Sequence, residues 1–234
     1  MKTRCGISIL LCISLLTFSF SEATAGSFIA GGTGGIRIHK NVKPLREIRR
    51  QHVVTQSLDF SCGAAGLSTI LKYYLNDPTS ELDIINSLLR QIPLEKIRER
   101  KGFSLLDLKT FAKSKGYKVT GYKMDIDFLK ELARPVLVPI KFRNYRHFVI
   151  VKGILADRVF IADPAAGNMT VKVNKFKKMW TGGIGLVIER TDTSKIKNYA
   201  LKLKTEDLLI ADYRTMRRLL NPTLIRTVVF PGEF

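Results

Sequence analysis

The spacing of apolar residues changes once along the chain, and the change separates two kinds of structure. From Cys62 onward, Ala65, Leu67, Ile70, Leu71, Tyr74 and Leu75 recur at helical spacing, which predicts a helix that Asn76 and Pro78 end. Ser80 with Asp83 has the pattern of a capping box for a second helix reaching about Leu89. Ser104 with Asp107 repeats that signal for a third, which stops near Gly116. Beyond it the period shortens. "YKVTGYKM", "PVLVPIKF", "HFVIVKGI", "RVFIAD", "MTVKV" and "GIGLVIE" are short β-branched and apolar runs separated by turn residues. Helices first and strands afterwards predict an α+β domain, with N-terminal helices packed on a mostly antiparallel sheet. After Glu189, "TEDLLIADYRTMRRLL" predicts another helix closed by Asn221-Pro222, and "TLIRTVVF" a final strand.

The N-terminus adds a compartment. Lys2 and Arg4 precede the apolar "GISILLCISLLTFSF", and "ATA" at Ala23 to Ala25 is a small-residue cleavage signal. Residues 1–25 therefore read as a signal peptide, which places the mature protein in the periplasm. No later run approaches the roughly 18 to 20 apolar residues of a membrane helix. Residues 26–47 follow as a glycine-rich and basic leader, "GSFIAGGTGGIRIHK" and its continuation, flexible and ending in a short strand. Its paired glycines, Gly31-Gly32 and Gly34-Gly35, read as a linker.

The whole chain carries a net charge of +19, and cleavage after Ala25 removes Lys2, Arg4 and Glu22 to leave +18. Such a charge in a cytosolic protein would point to nucleic acid, but export and the absence of a nucleic-acid motif exclude that partner. Contact with an anionic membrane surface or an acidic polypeptide suits it better, alongside a simply solvated surface. Cleavage also removes Cys5 and Cys12 and leaves Cys62 solitary. In an oxidising compartment an odd cysteine is either a buried inert thiol or a reactive one.

Position favours neither reading alone, but three residues together do. Cys62 opens a helix and is followed by small Gly63, Ala64 and Ala65, where amide N–H groups are exposed and a substrate backbone can approach. A helix N-terminus with a nearby imidazole lowers a thiol pKa. Of the histidines, His39 and His52 lie in leader and basic segments, whereas His147 opens the apolar strand "HFVIV". The next strand, "RVFIAD", ends at Asp163-Pro164. An antiparallel hairpin turning about Leu155 sets His147 opposite Asp163, with Val149 against Ile161 and Val151 against Val159. That register places a carboxylate beside the imidazole, and a slip of one residue would part them to opposite faces.

"QSLDFSCGAAGLSTIL", "HFVIVKGI" and "VFIADPAAG" resemble the peptidase C39 family, papain-like cysteine peptidases that process bacteriocin leaders after a double glycine. The resemblance spans about residues 48–190 and leaves 191–234 as a C-terminal extension without an assigned role. It implies Cys62 as nucleophile, His147 as general base and Asp163 as its orienting partner. It also implies that the Gln56 amide joins the Cys62 backbone N–H in an oxyanion hole. No cofactor is implied. Most family members are N-terminal domains of ABC exporters, but this chain has no transmembrane bundle and no phosphate loop. Stand-alone exported members, such as the one of functional-amyloid (Fap) export systems, suit its length, signal and charge. The implied activity is a periplasmic cysteine endopeptidase acting on an exported polypeptide at small-residue, Gly-Gly-like sites, with secretion-system components as further partners. The alternative is an idle C39-like module that binds an exported polypeptide without cutting it. Cys-His-Asp sites also serve other amide and acyl-transfer chemistry, on peptidoglycan for example.

Overall fold

A computed structural model describes residues 44–142, 145–191, 199–204 and 207, together with two short strands at 27–30 and 38–41. The chain separates into two units after Lys43. In the first, β1 (Ser27–Ala30) pairs antiparallel with β2 (Ile38–Asn41), Ser27 lying opposite Asn41. The leader's expected terminal strand corresponds to β2; β1 is an addition, too short a run for periodicity to mark. The signal segment lies outside the described residues. So do the helix expected over 205–220, Asp207 apart, and the strand expected over 223–230.

The second unit runs α1 (Leu45–Arg50), α2 (Cys62–Tyr73), α3 (Glu81–Leu89), α4 (Leu94–Arg100), α5 (Leu105–Ser114), β3 (Lys118–Lys123), α6 (Ile126–Glu131), β4 (Val136–Phe142), β5 (Tyr145–Leu155), β6 (Arg158–Asp163), β7 (Gly167–Lys172), α7 (Val173–Met179) and β8 (Ile184–Glu189). The six strands from β3 to β8 form one sheet in the order β3-β8-β4-β5-β6-β7, with every ladder antiparallel. Both expected capping boxes close. The Ser80 and Ser104 hydroxyls accept the Asp83 and Asp107 N–H groups at 3.1 and 3.2 Å, and each carboxylate accepts from the serine N–H in return.

Four further helices escape the sequence pattern because each has only six or seven residues. That is under two turns, too few for an apolar stripe to repeat. Their starts still carry chemistry. Pro44 and Pro93 precede α1 and α4, and the Asp125 carboxylate accepts the Phe128 N–H at 2.8 Å to cap α6.

The sheet is covered on both sides, which explains why its strands read as continuous apolar runs rather than strict alternations. On one face Leu137, Ile150, Ala162, Leu186 and Ile188 pack with Leu67, Ile70, Ile84 and Leu108 from the N-terminal helices. On the other, Val138, Val149, Val151 and Ile161 pack with Leu129 of α6, Phe176 of α7 and Trp180.

The β5–β6 hairpin corrects the expected register. Leu155 does not centre the turn; it pairs with Arg158 across a tight turn at Ala156 and Asp157, with Ala156 at φ 51°. Regular pairing from there would set Asp163 opposite Ile150, on the face away from His147. A bulge prevents this. Val151 pairs with Ile161 but Gly153 with Phe160, so Lys152 is an extra residue on β5. The one-residue shift returns Asp163 to the face of His147, Val149 and Val151. Pairing stops at Ile150 opposite Ala162, so His147 and Asp163 meet diagonally beyond the end of the ladder.

Candidate active site

Small residues bring α2 down onto the sheet. A Cβ on Gly66 would stand 2.8 Å from Leu137 Cδ1, and one on Gly63 would stand 3.0 Å from Leu108 Cδ1 and 3.1 Å from Phe148. Each glycine costs about 1 kcal/mol of helix propensity, a cost that close packing offsets. The start of the helix is left open. The Ser61 hydroxyl does not cap it, but donates to Leu58 O (2.7 Å) and accepts from Leu58 N–H (3.2 Å). The first turn has no acidic residue, so the electropositive end of α2 is uncompensated beside Cys62. Cys62 is a free cysteine and 5% exposed.

His147 is also buried, and its ring is held from one side. Its Nε2 lies 2.8 Å from Asp163 Oδ1. That oxygen also accepts the backbone N–H groups of Ala165 (2.7 Å) and Ala166 (3.2 Å), which fix the carboxylate at the end of β6. Burial alone would disfavour the imidazolium, but hydrogen bonds and charge from Asp163 and Cys62 outweigh it and raise the His147 pKa to about 9. Burial likewise works against the Asp163 carboxylate; the bonds from His147, Ala165 and Ala166 prevail and lower its pKa.

Two buried side-chain polar atoms lack a hydrogen-bond partner among the described residues: His147 Nδ1 and Gln56 Oε1. Buried polar atoms are almost always satisfied, so an orphan asks for an explanation, and both occur at positions with expected chemistry. Nδ1 is the ring nitrogen away from Asp163, and the Cys62 thiol lies near enough to favour the charged ring. Cys62, His147 and Asp163 are thus brought together. Gln56 is bonded elsewhere: its backbone N–H donates to Pro164 O at 3.0 Å, and its Nε2 donates to Leu58 O at 3.3 Å.

Two residues at the site give little sign of themselves in the sequence. Glu81 reads as the first residue of α3, yet it is buried. Its carboxylate accepts the Ser57 N–H at 3.1 Å and the Ser57 hydroxyl at 2.8 Å, pinning the loop between Gln56 and Cys62. Nothing local marks that role. Tyr145 lies two places before His147 on the same strand face, its ring 6.1 Å from the imidazole. Its pKa is raised, by burial first and then by the charges of Cys62 and Asp59. The alternation of β5 was a usable signal for Tyr145.

The sequence profile of the peptidase C39 family matches residues 50–193, more than half of the chain. The chain belongs to the peptidase C39 family. It is a cysteine peptidase. The probable functional amyloid protease FapD of Pseudomonas aeruginosa is 36% identical over 182 residues, covering 78% of this chain and 78% of that protein. The protein of the same description from Pseudomonas fluorescens is 37% identical over 76% of this chain and 78% of its own length. Among solved structures, the peptidase domain of Streptococcus ComA, a bi-functional ABC transporter of a quorum-sensing pathway, superposes with a TM-score of 0.51 at 21% identity. That comparison covers 59% of this chain and 98% of the domain, and it shows the shared fold. Among the described residues, no helix of this C39 peptidase is long and apolar enough to cross a membrane.

Proposed function

We propose that this protein is a periplasmic cysteine endopeptidase that processes an exported polypeptide at small-residue, Gly-Gly-like sites, in the secretion of an amyloid or peptide. The observation that carries the reading is the buried His147–Asp163 pair with Cys62 at the open start of α2. In this mechanism the Cys62 thiol passes its proton to His147, its sulfur attacks the scissile carbonyl carbon, and electrons pass to the oxygen. The His147 imidazolium then protonates the leaving amine as the C–N bond breaks, leaving a thioester on Cys62. Neutral His147 next takes a proton from water, whose oxygen attacks the thioester. The acid product leaves, and thiol and imidazole are restored. Asp163 holds the ring in the orientation both steps need.

Gln56 and the Cys62 N–H are assigned to the developing oxyanion. The 3.3 Å bond from Gln56 Nε2 to Leu58 O is long, and the unpartnered Oε1 marks an amide with little holding it. Turning its NH₂ toward substrate would supply a neutral donor. The peptidase unit is assigned to residues 48–190, preceded by a signal peptide over 1–25 and a leader over 26–47. Export is supported by the n-region, apolar run and "ATA" of the first 25 residues. The descriptions of the two Pseudomonas relatives support an amyloid-forming substrate.

The test is cleavage of Gly-Gly peptides by purified protein and by its Cys62→Ala variant. Wild type should cut after the second glycine and the folded variant should not. Equal cleavage by both would end the reading. Cys62 alkylation separates the peptidase from an idle binding module. A Cys62 that reacts only above about pH 8.5, as a free thiol does, would favour binding.

A further inference from the structure

The bulge that aligns His147 with Asp163 is held by residues from the far end of the chain. Its two residues, Lys152 and Gly153, both face a segment made of residues 199–204 and Asp207. Lys152 is buried in the sheet face, and its ammonium meets the Asp207 carboxylate at 2.5 Å. Asn168 Oδ1 lies 3.5 Å from the same ammonium, and the Asn168 amide donates to Gln51 O at 2.7 Å. Beside it, a Cβ on Gly153 would stand only 2.8 Å from Leu203 Cδ1, so Leu203 lies directly over the glycine. Two consecutive strand residues facing the same way are the signature of the extra residue. Ile154 then returns to the opposite cluster, with Val149 and Val151.

The segment is itself anchored. Leu201 is fully buried, the Ala200 N–H donates to Tyr73 O at 3.0 Å, and the Tyr199 ring meets that of Tyr74 edge-on at 4.7 Å. The Tyr199 hydroxyl donates to Ala133 O at 3.2 Å. The Lys204 N–H donates to the second Asp207 oxygen at 2.8 Å, which orients the carboxylate toward Lys152.

We propose that this C-terminal segment is a clamp on the β5 bulge, and that Lys152 and Asp207 are positioning residues that keep His147 and Asp163 on one face. The inference rests on the peptidase reading of that pair. Its physical basis is the cost of a buried ammonium without its counter-ion. With Asp207 neutralised, the buried Lys152 ammonium loses its counter-ion, and nothing then favours the bulge that turns it toward this segment. The extra residue then loses its hold, and regular pairing carries Asp163 to the other face. A role thereby falls to residues beyond the matched family region, at a distance from the thiol.

The test uses the purified full chain carrying Asp207→Asn. Two readouts are taken: kcat and KM on a Gly-Gly peptide that wild type cleaves, and the NMR titration of the His147 imidazole. We expect kcat to fall about 10- to 100-fold with KM within about twofold, the scale of a misplaced catalytic group. The His147 midpoint should move from about 9 down toward 6.5 as Asp163 is lost to it. Loss of stability alone would leave that midpoint in place. If Asp207→Asn does not fold, Leu203→Ala removes the cover over Gly153 and should shift both readouts in the same direction, by less. Folded variants that keep the wild-type midpoint and kcat would overturn the clamp. Cleavage that survives Cys62→Ala would instead overturn the peptidase reading, while the midpoint would still report on the bulge.

Discussion

Replacing Asp163 with Asn removes one charge and almost nothing else. The Asn carbonyl oxygen can occupy the place of Oδ1, still accepting from Ala165, Ala166 and His147 Nε2. What disappears is the charge that offsets the burial of the imidazolium. His147 rises from 6.5 to about 9 in the folded protein. At about 1.4 kcal/mol per pH unit, that difference favours the charged ring by on the order of 3 kcal/mol, shared between Asp163 and Cys62. In the variant burial acts with less opposition, and the midpoint should fall by about 2 units. Near pH 7.5 the ring then changes from almost wholly charged to mostly neutral. The general acid for the leaving amine is largely lost, and kcat/KM should drop on the order of 10²- to 10⁴-fold.

Stability should follow the same proton. Because the folded pKa of His147 lies above 6.5, its stabilisation is complete below about pH 6.5, shrinks as pH rises, and is gone above about 9. Asp163 acts in the opposite sense: its lowered pKa stabilises the fold above about 3.8, and that contribution is lost as pH falls through the folded value. Urea unfolding of wild type and Asp163→Asn from about pH 2 to 10, with NMR titration of His147, measures both. The variant should lose most of the wild-type decline between pH 6.5 and 9. A folded variant with a His147 midpoint within about half a unit of wild type, and similar activity, would refute the reasoning.

Three further outcomes follow from the same contacts. Deleting Lys152 removes the extra residue and lets Gly153 follow Val151 in a regular ladder that keeps Val151 opposite Ile161, so His147 and Asp163 should stay on one face and peptide cleavage should stay within about tenfold of wild type. A folded deletion variant whose cleavage falls about 10³-fold would show that the register does not set the pair. Gly66→Val pushes a branched side chain against Leu137, whose Cδ1 stands 2.8 Å from the Cβ position, and should cost about 1–3 kcal/mol in chemical denaturation. An unchanged midpoint would mean that α2 can lift from the sheet freely. Glu81→Gln weakens the charge-assisted hold on Ser57 by about 1–2 kcal/mol and should lower kcat/KM several-fold by loosening the loop before Cys62. Stability loss with unchanged kinetics would make Glu81 purely a fold residue.

The parts of this fold that the sequence discloses are those whose signals are local and repeated. Helix α2 shows its stripe over three turns, and the two capping boxes announce α3 and α5 three residues ahead. The six apolar runs mark β3 to β8 because turn residues bracket each. Helices α1, α4, α6 and α7 are too short to repeat a stripe, so only their proline or aspartate starts hint at them. Within the site, His147 and Asp163 are recognisable as polar residues at the ends of apolar strands. Their pairing was expected from an unbroken hairpin, yet it depends on a bulge at Lys152 that no turn signal foretells. An error of two positions in register leaves a side chain on the same face, which is why the expected neighbours still meet. Glu81 and Asp207 were beyond reach, since each acts across 24 and 55 positions of chain on a group that sequence spacing cannot connect to it.

The central claim is that Cys62 cuts an exported polypeptide, and the most direct measurement compares mature N-termini in the periplasmic and secreted proteins of cells carrying wild type or Cys62→Ala. Wild-type cells should yield a small set of polypeptides that begin just after small-residue, Gly-Gly-like sites and that remain untrimmed in the variant. Identical N-termini in both, with the variant folded and exported at wild-type levels, would contradict it.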